Sequence, residues 1–247
     1  MTTEQQQNLY NLHQLWRMQP YQEFTTNQGA TLYKLEQWPR RIWCEPGNYS
    51  EAEKEQLVTE LSAKASDSHI LSMPEILLPK AGTGLLLLPS ELTPSFSQQM
   101  MVKTLSTSAL SDPGPRLTLE PIEDNQAQQW ANTTGACFGY EVESSSVQNL
   151  LLGGACLYFI KYQGQVAGTA MTFIQEQQMG IHQVGVLDDY RGKGLARDAM
   201  LILEQYALDA GINTLQLQAS AMGEPLYQSL GYRSLGAIHN FIKIDAT

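Results

Sequence analysis

The residues best suited to chemistry lie together in one short segment, Val184–Ala196. An apolar stretch ends there in the sequence Arg191-Gly192-Lys193-Gly194, and a helical apolar period begins directly afterwards. A strand that passes through a glycine turn into a helix presents free backbone N–H groups and the positive end of the helix dipole. Such a turn suits an anion, a pyrophosphate in particular, and its glycines let the backbone approach the phosphates. Arg191 or Lys193 would add positive charge.

Spacing excludes two common phosphate loops. A Walker A loop needs Ser or Thr after its lysine, whereas Lys193 is followed by Gly194. The dinucleotide pattern G-x-G-x-x-G needs a third glycine where Arg197 stands. The remaining pattern is [RQ]-x-x-G-x-[GA], which Arg191, Gly194 and Ala196 match. Taken alone, the same residues also fit a surface turn with a glycine stop.

A second segment follows about thirty residues later. Residues 226–232 read Leu-Tyr-Gln-Ser-Leu-Gly-Tyr, which is similar to the pattern LYxxLGF. With the glycine loop, this segment resembles the two signatures of the GNAT acetyltransferase superfamily, over about residues 116–244. The resemblance implies a GNAT-like fold, with a mixed, mostly antiparallel sheet flanked by helices. It also implies direct transfer of an acetyl group from acetyl-CoA to an amine of a small molecule, an amino acid or a peptide.

The resemblance assigns roles to single positions of this sequence. The strand carrying Val184–Val186 would run beside the pantetheine arm of acetyl-CoA, and its N–H groups would meet the developing oxyanion. Tyr227 matches the tyrosine that protonates the departing thiolate in many members, and Ser220 stands where many members carry an asparagine that contacts the cofactor. The cofactor-binding residues implied in this way are Val184, Gly185, Val186, Arg191, Gly192, Lys193, Gly194, Leu195, Ala196, Ser220 and Tyr227.

Several residues are candidates for the base that deprotonates the amine. His182 precedes the loop, Glu141 and Glu143 fall where the family's substrate-lining loop would lie, and His239 stands near the last strands. These residues also have structural interpretations. His182 suits a core, as does Tyr227, and the two glutamates suit a solvent-exposed surface. The predicted catalytic residues are Tyr227, His182 and Glu141.

Periodicity places these residues at the ends of predicted elements. A strand at about 180–187 carries His182, Val184 and Val186 on one alternating face. A helix follows from Leu195, and Gly211 stands where its αL cap belongs. Other strands are predicted at about 116–121, 157–162, 166–174, 215–219, 232–235 and 238–244, with helices at about 125–136 and 225–231. This order predicts an α+β sheet rather than a doubly wound one.

The first half predicts a mixed α/β unit without a catalytic spacing. Helices are expected at about 4–18 and 51–65, the second with Ser50 as N-cap and Glu53 in a capping box. Strands are expected near 31–36, 41–45, 70–73 and 84–88. The unit could be a degenerate copy of the second half, although it lacks the [RQ]-x-x-G-x-[GA] loop. The run Ser111-Asp112-Pro113-Gly114-Pro115 predicts a boundary between domains 1–112 and 113–247.

Composition limits the class of protein. The chain has 247 residues, 43% of them hydrophobic, which is enough for a sizeable core. A net charge of −10 argues against nucleic-acid binding and is compatible with an amine substrate. Three separated cysteines without CxxC predict neither a disulfide framework nor a metal site, and they favour the cytoplasm. No signal peptide or membrane span is expected.

The expected partners are therefore acetyl-CoA and an amine, with no metal, no nucleic acid and no membrane. Cys137 and Cys156 are expected in the core, and Asp188 and Asp189 in a turn. One alternative comes from another class of protein. A non-catalytic module that binds or senses acyl-CoA would also keep the loop while lacking an assignable base.

Overall fold

In the part of the chain that the structure describes, one continuous sheet of 11 strands runs through both halves. The computed structural model describes residues 1–81, 86–106 and 116–244. Within them the helices are α1 (Thr3–Trp16), α2 (Glu51–Lys64), α3 (Ala127–Phe138), α4 (Ser144–Leu152), α5 (Leu195–Asp209) and α6 (Glu224–Ser229). The strands are β1 (Tyr21–Thr25), β2 (Thr31–Leu35), β3 (Arg41–Cys44), β4 (Ile70–Pro74), β5 (Leu92–Thr104), β6 (Leu117–Pro121), β7 (Cys156–Tyr162), β8 (Gln165–Gln175), β9 (Gln178–Val186), β10 (Thr214–Ser220) and β11 (Arg233–Lys243).

Local sequence signals explain many of the element boundaries. Ser50 caps α2 and Glu53 completes the capping box, as predicted. Gly139 ends α3 and Gly211 follows α5, both with left-handed backbone at φ 79° and 74°. Glycine adopts this conformation without the steric cost that a Cβ would add, so the chain turns out of each helix there.

Some elements differ from the predicted ones. The sequence patterns miss β1, β5 and α4 altogether. The two strands predicted near 232–235 and 238–244 are one strand, β11, with a register shift between Ser234 and Gly236. The strand predicted at 84–88 lies partly outside the described residues, and Leu86 forms only an isolated bridge with Lys80.

The order of strands across the sheet is β1-β2-β3-β4-β11-β5-β10-β9-β8-β7-β6. Neighbours are antiparallel except for two parallel pairs, β3 with β4 and β9 with β10. Helices cover both faces of this mixed, mostly antiparallel sheet. The α+β architecture predicted from the order of elements is confirmed.

Alternate residues of the central strand β5 divide the core between the two faces. Met100 packs with Leu9 and Trp16 of α1, and α3 and α4 continue this layer. Met101 packs with Leu195 and other residues of α5 on the opposite face, which α6 also joins. The two faces of the sheet are called the α1 face and the α5 face. The segregation follows from the period of two along a strand.

The two halves of the chain repeat one succession of elements. The first runs α1-β1-β2-β3-α2-β4, then a 3₁₀ turn and β5, and the second runs α4-β7-β8-β9-α5-β10-α6-β11. Each half contains one parallel pair, β3 with β4 or β9 with β10. The last strands are exchanged, because β5 pairs with β10 and β11 pairs with β4. This succession favours a first half that copies the second.

The division of the chain at about residue 112 stays a prediction. The run 111–115 lies outside the described residues. A division there would separate β5 from its neighbours in the sheet, because β5 precedes the boundary and lies between β10 and β11, which follow it.

Among the helices described, none is long and apolar enough to cross a membrane.

Candidate active site

The parallel strands β9 and β10 separate after three residue pairs. Gln178–Gly180 pair with Thr214–Gln216, and the pairing ends before Ile181–Val186. β10 keeps its other neighbour, β5, as far as Ser220. The strands therefore open into a wedge, the β9–β10 cleft, where β9 backbone groups that face β10 have no strand partner. An extended, amide-bearing ligand can pair with such an edge.

A bulge at Gln183 decides which side chains face each side of this cleft. Gln183 has a left-handed φ of 51°, and the register between β8 and β9 shifts around it. His182 points to the α1 face, whereas Val184 and Val186 pack on the α5 face. The prediction that these three residues share one face is wrong, because a bulge inserts a residue and interrupts the alternation.

The glycine loop joins β9 to α5 as predicted. Asp188–Tyr190 form a 3₁₀ turn, which confirms Asp188 and Asp189 as turn residues. Gly192 and Gly194 both have left-handed backbone, at φ 74° and 79°. A Cβ on Gly192 would meet open space, so the positive φ, and not crowding, is what favours glycine there in this structure.

The N-terminus of α5 has no side-chain cap. Gly194 is the N-cap residue, and no described side chain accepts a hydrogen bond from the first turn. The N–H groups of Leu195, Ala196 and Arg197 therefore lack the intrahelical partners that later residues have. Gly192–Gly194 are exposed, so these donors lie beside an accessible surface. The combination suits a phosphate group.

Arg191 is already engaged with the protein. Its Nε donates to the carbonyl oxygen of Val186 at 3.1 Å, and its Nη2 donates to that of Cys137 at 2.9 Å. Its Nη1 lies 2.8 Å from Asp188 Oδ1. The guanidinium thus ties the loop to the end of β9 and to α3.

Lys193 and Arg116 bring further positive charge to the loop. Lys193 Nζ donates to the Asp189 carbonyl oxygen at 2.9 Å and lies 5.0 Å from the centre of the Tyr190 ring. Arg116 lies beside the loop and forms an ion pair with Asp198 at 2.6 Å. Arg116 precedes β6, and no pattern in the sequence marked it as part of this site.

Tyr227 and Ser220 lie at the mouth of the cleft on α6 and at the end of β10. Tyr227 packs edge-on against Tyr232 and joins the core of the α5 face. Burial raises the pKa of Tyr227 to about 12. Its hydroxyl makes no hydrogen bond within the described chain. Ser220 Oγ accepts a hydrogen bond from the N–H of Gly223 at 3.2 Å, so it holds the turn into α6.

His182 is buried in a polar network that reaches α1. Its Nε2 lies 3.1 Å from Asn11 Oδ1, and Asn11 Nδ2 donates to the carbonyl oxygen of Phe173 at 3.2 Å. Because this amide donates to a carbonyl, its oxygen faces His182, and Nε2 must carry the proton. Burial lowers the pKa of His182 to about 4, opposed by a hydrogen bond with Gln218. The imidazole is therefore neutral at pH 7.

The other predicted acid–base residues are spread around the site. Glu141 is exposed in the loop between α3 and α4. Glu143 is not a solvated charge, because it accepts a hydrogen bond from the Trp38 N–H and forms an ion pair with Arg40. His239 is half-buried within β11, where its Nδ1 lies 3.0 Å from Ser97 Oγ.

The three cysteines are free. Cys137 is buried, and burial raises the pKa of its thiol to about 11, so the thiolate is scarce at pH 7. Cys156 is exposed at the start of β7, and its predicted place in the core is wrong because that strand begins at the surface. Within the described ranges, no three His, Cys, Asp or Glu side chains group as a metal site would require.

Tyr140 is a site residue that sequence reasoning missed. Its hydroxyl donates to Gln183 Oε1 at 2.7 Å, which links the loop between α3 and α4 to the bulge of β9. Burial raises the pKa of Tyr140 to about 12, although 40% of the residue is exposed. Sequence periodicity does not indicate this contact, because Tyr140 lies in a loop 43 positions before Gln183.

The first half contains an equivalent opening between β3 and β4, and the helix that follows it begins differently from α5. β3 and β4 also separate, after two residue pairs. In the helix that follows, α2, Ser50 accepts a hydrogen bond from the N–H of Glu53 in the first turn, whereas α5 has no side-chain cap. Glu45 begins the connecting loop and pairs with Arg17. An anion is therefore not expected at α2.

Comparison with known proteins agrees with this geometry. Residues 119–232 match the Acetyltransferase (GNAT) family. The human protein N-acetyltransferase 8B (Homo sapiens) is 30% identical over 94 residues, which is 34% of this chain and 40% of that protein. The match thus spans well under two thirds of the relative's own length.

Solved structures resemble the whole chain. A GCN5-related N-acetyltransferase from Kribbella flavida has a TM-score of 0.71 at 18% identity, covering 100% of this chain and 97% of its own. A GCN5-related N-acetyltransferase-like protein from Streptococcus suis has a TM-score of 0.55 at 15% identity, covering 99% and 100%. At these identities the likeness concerns the fold, and it includes the first half.

Proposed function

Residues 119–232 belong to the GNAT acetyltransferase family, and from that premise we propose that the protein transfers an acetyl group from acetyl-CoA directly to an amine. The observation that carries the proposal is the uncapped N-terminus of α5 beside the β9–β10 cleft. An anion site and an unpaired strand edge meet there, as a cosubstrate with a pyrophosphate and a chain of amides requires. Acetyl-CoA has both parts.

The loop would hold the pyrophosphate through backbone donors. The donors would be the N–H groups from Gly192 to Ala196 at the positive end of α5, where Gly192–Gly194 are exposed, and Arg116 and Lys193 add charge near them. Arg191 would act by keeping the loop in place, since its three nitrogens already have protein partners.

The edge of β9 would align the pantetheine arm and the thioester. Backbone groups of Val184, Gly185 and Val186 lack a partner on β10, so they would pair with the amides of the arm. A backbone N–H beside the thioester carbonyl would stabilise the negative charge that develops on its oxygen. Side-by-side binding of the two substrates supplies much of the rate enhancement.

The reaction forms a C–N bond and breaks the C–S bond of the thioester. The amine nitrogen attacks the carbonyl carbon, loses a proton, and the thiolate leaves and takes one up. Tyr227 is protonated at pH 7 and would donate a hydrogen bond to the departing sulfur. Full proton transfer from a phenol of pKa about 12 to a thiolate is uphill, because alkyl thiols have pKa values near 8.5. The hydroxyl would therefore act mainly on the developing charge.

The base is proposed among His182 and Glu141. The proton on Nε2 of His182 is directed at Asn11, which leaves only Nδ1 to accept. Glu141 is exposed and has no hydrogen-bonding partner among the described residues. This scarcity of bases favours, as a second function, a module that binds or senses acyl-CoA without catalysis.

One experiment separates the two functions. The protein is incubated with acetyl-CoA and a panel of amines, free CoA is measured with a thiol reagent, and each amine is analysed by mass spectrometry. We expect amine-dependent CoA release with a matching acetylated amine. Tight binding of acetyl-CoA with no release for any amine would favour the sensing module.

A further inference from the structure

One cation near the cleft has no counterion in the described part of the chain. Arg41 begins β3 on the α1 face, and it forms no ion pair there. The neighbouring carboxylates are already used, since Glu45 pairs with Arg17 and Glu143 pairs with Arg40. Arg41 is therefore an unpaired positive charge in a region where other charges are matched.

The guanidinium is enclosed by aromatic rings and amides. It lies 5.7 Å from the centre of the Trp16 ring and 5.4 Å from that of Phe96. Its Nη1 donates to Asn240 Oδ1 at 3.1 Å, an oxygen that also accepts from Ser72 at 2.7 Å. Its Nε is buried and has no partner. Burial lowers the pKa of Arg41 to about 10, which still leaves it charged at pH 7.

An unpaired cation in such surroundings is costly unless a ligand completes it. A buried charge normally has a partner of opposite sign, because the interior solvates it poorly. Arg41 is nevertheless partly accessible, so a molecule from solvent can reach it. A guanidinium presents several N–H donors in a plane and binds a carboxylate through two of them. Both hydrogen bonds that the guanidinium makes to the described chain use Nη1, so Nη2 is the donor left for such a contact.

Strand register places Arg41 at the same end of the sheet as the cleft. Its partner Asn240 lies on β11 opposite Phe96 of β5, and Gln98 of β5 lies opposite Ser220, the last residue of β10. The guanidinium thus lies over β11 and β5, next to the open end of the cleft. One strand, β5, lies between β11 and β10, so the distance across the sheet from β11 to the β10 side of the cleft is about 10 Å.

Tyr140 interacts with both Arg41 and the strand that borders the cleft. Its hydroxyl contacts Gln183 at the β9 bulge, and the charge of Arg41 acts to lower its pKa. Tyr140 and Phe96 are each 40% exposed. Both aromatic residues near the cation therefore present apolar surface to solvent.

We propose that Arg41 binds a carboxylate of the acceptor, so that the acceptor is an amino acid or a short peptide whose amine reaches the β9–β10 cleft. The inference rests on the proposed acetyl transfer and narrows its substrate class. The separation of about 10 Å favours an amine several bonds from the carboxylate. The side-chain amine of lysine and the N-terminus of a dipeptide both meet this condition.

The first test uses the unaltered protein and matched acceptors. L-lysine is compared with L-lysinamide and cadaverine, and Ala-Ala with its C-terminal amide, by acetyl-CoA-dependent CoA release. We expect kcat/KM to be about 10- to 100-fold higher for each acid, mainly through KM, because the amides and cadaverine lack the charged acceptor of hydrogen bonds. Preference for lysine over Ala-Ala, or the reverse, tells the two sources of carboxylate apart. Equal rates for acids and amides would overturn the inference while leaving acetyl transfer intact.

The second test assigns the preference to Arg41. Arg41→Gln should remove the difference between acid and amide with little change in the Kd for acetyl-CoA. Arg233→Gln is the control, since it removes an exposed arginine that pairs with Glu4 on the protein surface. If Arg41→Gln does not fold, the comparison of acids and amides in the unaltered protein decides alone.

A third readout does not depend on turnover. Ala-Ala and its amide are titrated calorimetrically into the CoA-bound protein and into the CoA-bound Arg41→Gln variant. Binding of the acid alone, lost in the variant, supports the site even if no amine is acetylated and the proposed transfer fails. Equal binding of the acid by both proteins would overturn the role of Arg41.

Discussion

Burial has opposite effects on the pKa values of two side chains beside the β9–β10 cleft, Tyr227 and His182. It raises the pKa of Tyr227 to about 12 and lowers that of His182 to about 4. Both side chains are neutral at pH 7, so neither adds charge to the cleft wall. The residue types were predictable from the sequence, because a motif carries Tyr227 and a strand carries His182. Their environments depend on α1 and Tyr232, which no local pattern relates to them.

The hydroxyl of Tyr227 is expected to act in the transition state. Tyr227→Phe keeps the ring that packs against Tyr232 and removes only the oxygen. We expect kcat to fall about 10²- to 10³-fold, the typical cost of losing one hydrogen-bond donor to a developing charge, with little change in acetyl-CoA affinity. Steady-state kinetics and a binding isotherm measure the two quantities. Turnover like that of the unaltered protein would return Tyr227 to a packing role.

His182 is expected to make stability depend on pH. Its pKa is 6.5 when unperturbed and about 4 in the folded protein, so the unfolded chain binds more protons between these values. Its contribution is complete above about pH 6.5 and is lost as the pH falls toward 4, on the order of 2 kcal/mol between pH 7 and pH 5. The free energy of unfolding, measured with urea, should differ less between pH 7 and pH 5 in His182→Gln than in the unaltered protein. An unchanged difference would contradict the assigned burial.

At the scale of elements, the strand, loop and helix of the site were predictable and the bulge was not. Alternation, two glycines and a helical period suffice to predict β9, the loop and α5. The bulge at Gln183 depends on pairing with β8, which the sequence of β9 does not contain. β5 was missed because a strand with neighbours on both sides and a Ser-Gln-Gln stretch shows no clean alternation.

Arg191 tests whether the loop is held by its own side chain. Arg191→Lys keeps the charge but cannot reach the carbonyl oxygens of Val186 and Cys137 together. We expect the Kd for acetyl-CoA to rise roughly tenfold, since the free N–H groups would be less ordered. Calorimetry gives the affinity. Lys161→Arg on β7, which makes the opposite substitution of lysine by arginine, serves as the control. Unchanged affinity would show that the loop keeps its shape without the guanidinium.

At the scale of the whole molecule, the exchange of β5 and β11 couples the two halves. The strands that pair lie more than a hundred residues apart, so no local signal in the sequence indicates them. The similar succession of elements was anticipated as a degenerate copy. The two halves differ locally at the helix that follows the parallel pair, because Ser50 caps the first turn of α2 and no side chain caps that of α5.

The exchange predicts that a 113–247 fragment cannot fold alone. Without β5, the backbone groups of β10 and β11 that face it lose their partners in the middle of the sheet. We expect no cooperative thermal transition for the fragment by circular dichroism, and recovery when residues 1–112 are co-expressed. A cooperative transition of the fragment by itself would contradict this coupling.

Binding of acetyl-CoA at the α5 N-terminus is tested most directly by a pair of glycine variants. Gly194 and Gly211 stand at opposite ends of α5 with similar left-handed backbone, at φ 79° and 74°. Gly194→Glu and Gly211→Glu therefore impose comparable strain and the same charge, but only the first places them beside the free N–H groups. Calorimetric titration with acetyl-CoA should show at least a hundredfold weaker binding for Gly194→Glu and near-normal binding for Gly211→Glu. Equal affinities in the two variants would contradict the site.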